Sequence, residues 1–175
     1  MTTAMASTAL PRFAWRTGGS ASIEIDAPAE FVYDRIADVT RTGERSLEVR
    51  SAQWLPGAMP GAVGARFRGR NRWGVARWSR VCEVVEADRG RRFAFRTVPE
   101  RIDFTRKDST IWGYTISSRD GRVVVTHDYQ IVKMPVPVYR HLLALLFPHH
   151  RDMRPHIEHT LRALRAELEA TPATR

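Results

Sequence analysis

The chain has 175 residues, of which 43% are hydrophobic, and its 28 basic and 19 acidic side chains give a formal charge of +9. This length allows one domain with a core of its own but is short of what two domains require. Lysine occurs only at Lys107 and Lys133, so the positive charge comes almost entirely from arginine. We attribute this excess to compositional bias, and despite the basic charge we expect no nucleic-acid partner.

Targeting signals are not evident. Residues 1–19 lack the apolar run of a secretory signal, and the apolar stretch at 142–147 is too short to span a membrane. We therefore expect a cytoplasmic protein with a flexible N-terminal lead-in over residues 1–19 and a single domain over residues 20–170. The one cysteine, Cys82, lies in an apolar run and is predicted to be a buried core side chain.

The first predicted elements are a strand and a helix. Apolar and polar residues alternate over residues 20–26, which is typical of a strand. A short helix is predicted over residues 28–37, because Pro28 occupies its first turn and apolar residues recur at helical spacing behind it. The polar residues 38–46 predict either a loop or a broken second helix.

Six further strands follow, separated by turn signals such as Trp73-Gly74 and Asp120-Gly121. They are predicted at residues 47–55, 65–72, 75–87, 91–98, 109–118 and 122–133. From Pro137 the apolar spacing becomes helical, is interrupted at Pro148 and continues to about residue 169 as an amphipathic helix. This order predicts an α+β fold in which an antiparallel sheet curls around one C-terminal helix.

The arginine-rich stretch RFRGRNRWGVARWSR, residues 66–80, is predicted to form a hairpin. Its first strand alternates between two sets of side chains, which are the solvated Arg66, Arg68, Arg70 and Arg72 and the inward Phe67, Gly69 and Asn71. In its second strand Arg80 shares a face with Trp78, so an inward Trp78 would bury a guanidinium that needs a hydrogen-bonding partner. A bulge that turns Arg80 to solvent is the alternative.

A cavity is predicted inside the sheet, because one helix face cannot fill the concavity of a sheet wrapped around it. The inward positions of the later strands carry aromatic rings with polar tips, which are Trp112, Tyr114, His127 and Tyr129. Cavities of this composition bind small amphipathic molecules. For each of these residues, a packed core aromatic is the alternative interpretation.

Three segments resemble a known family: SIEIDAPAEFVYDRIADVTRTGE (22–44), RWSRVCEVVEADRGRRFAF (77–95) and RVVVTHDYQIVK (122–133). Together with the long terminal helix, they are similar to the polyketide cyclase/dehydrase and lipid-transport group of the START/Bet v 1-like (SRPBCC) superfamily, over about residues 20–169. The resemblance implies a helix-grip fold, in which a seven-stranded curved antiparallel sheet wraps around a long C-terminal helix, with short helices between strands one and two.

The resemblance also implies a ligand but no single reaction. The expected ligand is a small hydrophobic or amphipathic molecule, lipid-like or polyketide-like and aromatic, that is carried, sensed or stored without a cofactor. The expected ligand contacts are Phe67, Trp78, Phe95, Trp112, Tyr114, His127, Tyr129 and Glu44. Two residues depart from the family pattern: Arg45 replaces an aromatic residue, which would open or polarise the cavity mouth, and His127 replaces an acid.

The alternative function is a cofactor-independent cyclase or dehydratase. Such an enzyme needs a proton acceptor and donors that stabilise an enolate oxygen. His127 would be the base, and Arg80 with Tyr114 or Tyr129 would be the donors. A structural histidine beside a tyrosine is the competing interpretation of His127.

A histidine cluster and an apolar segment near the C terminus each allow a functional and a simpler structural interpretation. The histidines cluster at His149, His150, His156 and His159. His156 and His159 would share a helix face with Asp152 one turn before, but zinc sites require more exact ligand sets, so we predict no metal site. The apolar residues of 136–147, beside Arg140 and His141, would gate the cavity or contact a membrane transiently, whereas the competing interpretation is a helix end packed on the sheet. No pattern indicates an oligomeric state.

Overall fold

The computed structural model describes residues 14–100, 109–134 and 137–170. One antiparallel sheet contains seven strands in the order β1-β7-β6-β5-β4-β3-β2. The strands are β1 (Gly18–Ile25), β2 (Val49–Trp54), β3 (Arg66–Trp73), β4 (Ala76–Asp88), β5 (Arg92–Val98), β6 (Ser109–Arg119) and β7 (Arg122–Lys133). The α+β fold with a curved seven-stranded sheet and a C-terminal helix is thereby confirmed.

Within the described residues, four α-helices accompany the sheet: α1 (Ala29–Ala37), α2 (Thr42–Arg45), α3 (Pro137–Leu146) and α4 (Arg154–Ala170). A 3-10 turn at Val39–Arg41 leads into α2, so the polar segment after α1 is a broken second helix rather than a loop. A second 3-10 turn, Pro148–Arg151, separates α3 from α4 where the sequence predicted the interruption. No helix in the described ranges is both long and apolar enough to cross a membrane.

Helix α4 provides the apolar face on which the sheet closes. Its buried residues recur at steps of three and four and are each 2% exposed or less, and they are Ile157, Leu161, Leu164 and Leu168. The helix packs mainly along β1 and, to a smaller extent, β7. The inner faces of the strands farther across the sheet are therefore left for other side chains to cover.

The hairpin of β3 and β4 has a continuous register in which Gly69 lies opposite Arg80. Because this register contains no bulge, Arg80 shares the inward face of Gly69. The bulge in β4 lies farther along, between Val84 and Glu86, where this strand pairs with β5. The proposed alternative, a bulge that turns Arg80 to solvent, is thus excluded.

The outer face of β3 carries its arginines as predicted. Arg66 pairs with Glu83 at 2.7 Å, and Arg68 pairs with Glu100 at 2.7 Å. The first pair joins neighbouring strands and the second reaches the segment after β5, and both are partly solvated, so each contributes little to stability. Arg66 and Arg68 therefore belong to the outer surface of the sheet, where each faces a carboxylate.

A cluster of arginines around Glu167 fastens α4 to the α1–α2 corner. The Glu167 carboxylate lies 3.4 Å from Arg35, 3.1 Å from Arg41 and 3.3 Å from Arg45. Arg45 also donates a hydrogen bond to the carbonyl oxygen of Arg35, and its side chain is only 6% exposed. Arg45 thus anchors the corner and does not line the cavity, contrary to the expectation that it opens or polarises the mouth.

Residues before position 20, which were assigned to the N-terminal lead-in, already form hydrogen bonds with the domain. Strand β1 begins at Gly18, within the range we assigned to the lead-in. The amide of Arg16 donates to Arg151 at 2.8 Å, and the carbonyl of Thr17 accepts from Ile131 at 2.7 Å. Residues 1–13 of the predicted lead-in lie outside the described residues.

Gly43 allows α2 to lie directly against β2. A Cβ atom at this position would collide with the backbone carbonyl of Arg50, which cannot rotate away as a flexible side chain can. We expect Gly43→Ala to lower the free energy of unfolding by about 1–3 kcal/mol because the close approach is lost.

Gly69→Ala is the matched control, because a Cβ there meets only one atom, the carbonyl oxygen of Arg80 at 4.0 Å. Chemical denaturation should place this control within about 1 kcal/mol of the wild type. Equal destabilisation by the two substitutions would contradict the assignment of Gly43 as a contact glycine.

Candidate ligand-binding site

An internal cavity of about 450 Å³ lies between the inner face of the sheet, α3 and the first turns of α4. Strands β3 to β7 all contribute to its wall. Seven of the eight ligand contacts predicted from sequence line it, namely Phe67, Trp78, Phe95, Trp112, Tyr114, His127 and Tyr129. The sheet brings these seven together because each occupies an inward position of its strand.

Ring contacts hold the aromatic wall in place. Phe67 packs edge-on against Phe95 with centroids 5.2 Å apart, and Trp54 packs on the other side of Phe67 at 5.5 Å. Trp112 stacks on Tyr129 at 5.6 Å. Interlocked rings of this kind have few alternative rotamers, so the cavity has a preformed shape.

His127 is a buried, neutral side chain. Its Nδ1 lies 2.8 Å from the carbonyl oxygen of Gly113, which only accepts, so Nδ1 carries the proton and Nε2 remains an acceptor. The ring stacks on Tyr114 with centroids 3.8 Å apart. Burial lowers the pKa of His127 to about 4, so the imidazole is uncharged at neutral pH.

Three other cavity residues supply polar atoms. Burial raises the pKa of Tyr114 to about 12, so its phenol stays protonated and able to donate. Arg80 also lines the cavity and is partly buried. The thiol of Cys82 faces the same space, and burial raises its pKa to about 12, which keeps it protonated and unreactive.

Glu44, the eighth predicted contact, lies outside the cavity lining. Its side chain is 56% exposed and pairs with Arg41 at 2.7 Å. The short helix α2 directs Glu44 toward solvent while the buried Arg45 points toward α4. We therefore leave Glu44 out of the candidate site.

Glu48 and His150 line one part of the cavity, and His149 lies beside them. The Glu48 carboxylate lies 3.3 Å from Nε2 of His149 and 3.0 Å from Nε2 of His150. Burial alone would raise the pKa of Glu48, but hydrogen bonds from the two histidines lower it to about 2. Glu48 is therefore an ionised carboxylate in a largely apolar wall.

Glu48 was not among the site residues predicted from the sequence, and the expected proximity of Asp152 to His156 and His159 gives way to other contacts. Asp152, considered as a neighbour of His156 and His159, is instead held by Arg154 at 2.6 Å and Arg16 at 3.3 Å. His156 stacks on His149, and burial lowers the pKa of His156 to about 4. Glu48 is separated from the histidine pair by about a hundred residues, so no local spacing links them.

Residues of α3, the residue after it and the N-terminal segment also line the cavity. They are Leu143, Phe147 and Trp15, of which the first two belong to the segment that the sequence suggested as a cavity gate and the third had no sequence signal. Four other apolar residues of α3 are exposed, and they are Val138, Leu142, Leu145 and Leu146. The expectation of a helix end packed on the sheet is thus wrong for this outer face, while residue 136 lies outside the described residues.

Comparisons with known proteins agree with this geometry. A family model described as polyketide cyclase / dehydrase and lipid transport matches residues 17–169. No match was found among curated proteins.

Solved structures share the fold at low sequence identity. A polyketide-cyclase-like protein from Corynebacterium glutamicum is 26% identical, with a TM-score of 0.54 over 88% of this chain and 92% of that one. The major latex-like protein 151 of Panax ginseng is 12% identical, with a TM-score of 0.60 over 87% and 99%. The di-domain ARO/CYC StfQ of the steffimycin biosynthetic pathway is 11% identical, with a TM-score of 0.64 over 88% and 51%.

The buried His127 predicts a specific pH dependence of stability. Its pKa is lowered from 6.5 to about 4 in the folded chain, so the unfolded state binds the extra proton between these values. The contribution of the neutral His127 to the free energy of unfolding is fully present above the unfolded pKa and is lost as the pH falls toward 4. Between about pH 7 and about pH 5, the wild type should lose about 2 kcal/mol more than His127→Asn.

Asparagine can still donate to the Gly113 carbonyl but does not titrate, so the comparison isolates the proton. His156 titrates in the same range and is present in both proteins, so its contribution cancels. Urea denaturation at the two pH values measures the difference. Parallel pH profiles for the two proteins would contradict the buried, neutral assignment of His127.

Proposed function

The chain belongs to the polyketide cyclase/dehydrase and lipid transport family, and from this premise we propose that it binds a small hydrophobic or amphipathic molecule inside its cavity. The observation that carries the proposal is the preformed space of about 450 Å³, walled mainly by aromatic and aliphatic side chains. This volume lies within the range of small-molecule sites in proteins. A binding cavity of this kind is sufficient for a carrier, a sensor or a storage protein.

The distribution of polar atoms supports an amphipathic ligand over a purely apolar one. The Tyr114 hydroxyl, the His127 imidazole and the Arg80 guanidinium all belong to the cavity wall. The Tyr114 hydroxyl can donate to an oxygen atom of a bound molecule, and Nε2 of His127 can accept a hydrogen bond from a hydroxyl group. These two groups favour a ligand with oxygen atoms over a purely apolar one. A flat or fused-ring molecule with a few oxygen atoms, or a lipid with a polar end, matches this wall.

Helix α3 supports an entrance beside the cavity. Leu143 of α3 and Phe147, which follows the helix, line the cavity, while Val138, Leu142 and Leu145 of α3 are exposed. An amphipathic element with apolar residues on its solvent side and Arg140 nearby is suited to transient contact with a membrane surface. A ligand could enter or leave at this helix during such contact.

A cyclase or dehydratase activity ranks second. The presence of Arg80, Tyr114 and His127 in one cavity favours it, as does the structural similarity to an ARO/CYC protein. The lowered pKa of His127 argues against the activity, since a base with a pKa of about 4 accepts protons weakly at neutral pH. Binding without chemical change is therefore the function that we put forward.

Gly69 provides a direct test of binding in the cavity. It lies in the cavity wall, and a Cβ atom there would meet only the Arg80 carbonyl oxygen at an ordinary contact distance of 4.0 Å, so a leucine side chain would extend into the ligand volume. We expect Gly69→Leu to weaken binding of the amphipathic fluorophore anilinonaphthalene sulfonate at least about tenfold. Fluorescence titration measures this change.

The matched control is Arg70→Leu, which adds the same side chain to the exposed outer face of the same strand. This variant should bind the fluorophore as the wild type does, because the inner wall is unchanged. Equal affinity of the Gly69→Leu and wild-type proteins would show that the fluorophore binds elsewhere, and would overturn the proposal of a functional cavity.

A further inference from the structure

We propose that Glu48, His149 and His150 form a binding site for a divalent transition-metal ion, best suited to zinc, in the wall of the cavity. The three side chains come from two distant parts of the chain, the residue before β2 and the 3-10 turn between α3 and α4. His149 and His150 belong to the histidine cluster of the sequence, but the surface site considered there used His156 and His159, and no metal site was predicted. The proposal does not depend on which organic ligand the cavity binds.

The spacing of the donor atoms fits a metal ion. One ligand atom from each residue lies within 4.8 Å of the others. Nε2 of His150 is 3.0 Å from one Glu48 oxygen, and Nε2 of His149 is 3.3 Å from the other. Zinc bonds of about 2.0–2.2 Å in a tetrahedral arrangement place neighbouring ligand atoms roughly 3.3 Å apart. The distances from Glu48 to both imidazoles therefore already match those between ligand atoms around a zinc ion.

Aromatic packing fixes both imidazole rings in this orientation. His149 stacks in parallel on His156 at 4.5 Å and contacts the tilted ring of Trp73 at 4.0 Å. Phe147 stacks on His150 at 5.2 Å. Rings held by neighbours on their faces lose little freedom when they coordinate, which raises affinity for the ion.

Burial distinguishes this cluster from ordinary surface groups. The side chains of Glu48, His149 and His150 are 10%, 9% and 25% exposed. Two imidazoles and one carboxylate are ligands that suit zinc and its neighbours in the transition series, whereas calcium and magnesium prefer all-oxygen sites. The donor set thus selects the class of ion.

Three protein ligands leave the fourth coordination site of a zinc ion vacant. In this cluster the vacant site would face the cavity. Glu48 and His150 line the cavity, as do Trp78 and Phe147 beside them. A zinc ion held by three protein ligands takes water or a substrate atom as its fourth ligand. Here that fourth ligand would come from the cavity, so the site would accept an oxygen atom of a bound molecule.

Metal titration of the full chain tests the site without any organic ligand. After chelator treatment and dialysis, the protein should bind one equivalent of cobalt(II) with the visible absorption of a low-symmetry complex, and zinc should displace it. Glu48→Gln and His150→Gln should each weaken zinc binding in calorimetry roughly 100-fold. His159→Gln, a histidine of α4 outside the cluster, should bind as the wild type does.

A carboxylate–imidazole cluster that serves only packing gives the opposite results. The proposal fails if the wild type shows no saturable one-to-one binding, or if the cluster variants bind zinc as tightly as the wild type. It also fails if His159→Gln loses as much affinity as the cluster variants do. Circular dichroism checks that each variant is folded, and if Glu48→Gln does not fold, His150→Gln decides the outcome.

Discussion

The architecture depends on the contact between one helix and a curved sheet that is wider than the helix. Four apolar residues of α4, from Ile157 to Leu168, are almost fully buried against the sheet, chiefly along β1 and β7. A single helix face cannot also cover the inner surfaces of the strands beyond them. Aromatic side chains of β3 to β7 occupy part of the remaining space, and the rest is the cavity of about 450 Å³. The binding space is thus a consequence of the packing that closes the fold.

Polar groups that line the cavity lie near opposite edges of the sheet. His127 belongs to β7, beside the edge strand β1, and Glu48 precedes β2 at the opposite edge. Tyr114 and His127 provide neutral hydrogen-bonding atoms, whereas the Glu48 cluster provides a charged one. A ligand that spans the cavity would therefore meet a neutral donor and acceptor on one side and an ion-binding group on the other.

The strands could be predicted from the sequence because the alternation of apolar and polar residues is a local property of each strand and does not depend on its neighbours. All seven strands follow the predicted order. The starts of β1 and β2 differ most from the prediction: β1 begins at Gly18 rather than at residue 20, because Thr17 already pairs with Ile131, and β2 begins at Val49 rather than at residue 47. The direction of Arg80 required the register with β3, which no single strand contains. Glu48 and its histidines meet only through the topology, and Glu44 was misplaced because the orientation of α2 depends on Arg45 and Glu167.

Native mass spectrometry of the protein, purified gently and without detergent, tests the central claim most directly. The account predicts a population in which one small molecule adds its mass to that of the chain and is released on activation or on unfolding. If no such species is present at first, incubation with a hydrophobic extract of the producing cells should create it. Only the mass of the bare chain, both before and after that incubation, would contradict the claim that the cavity is a ligand-binding site.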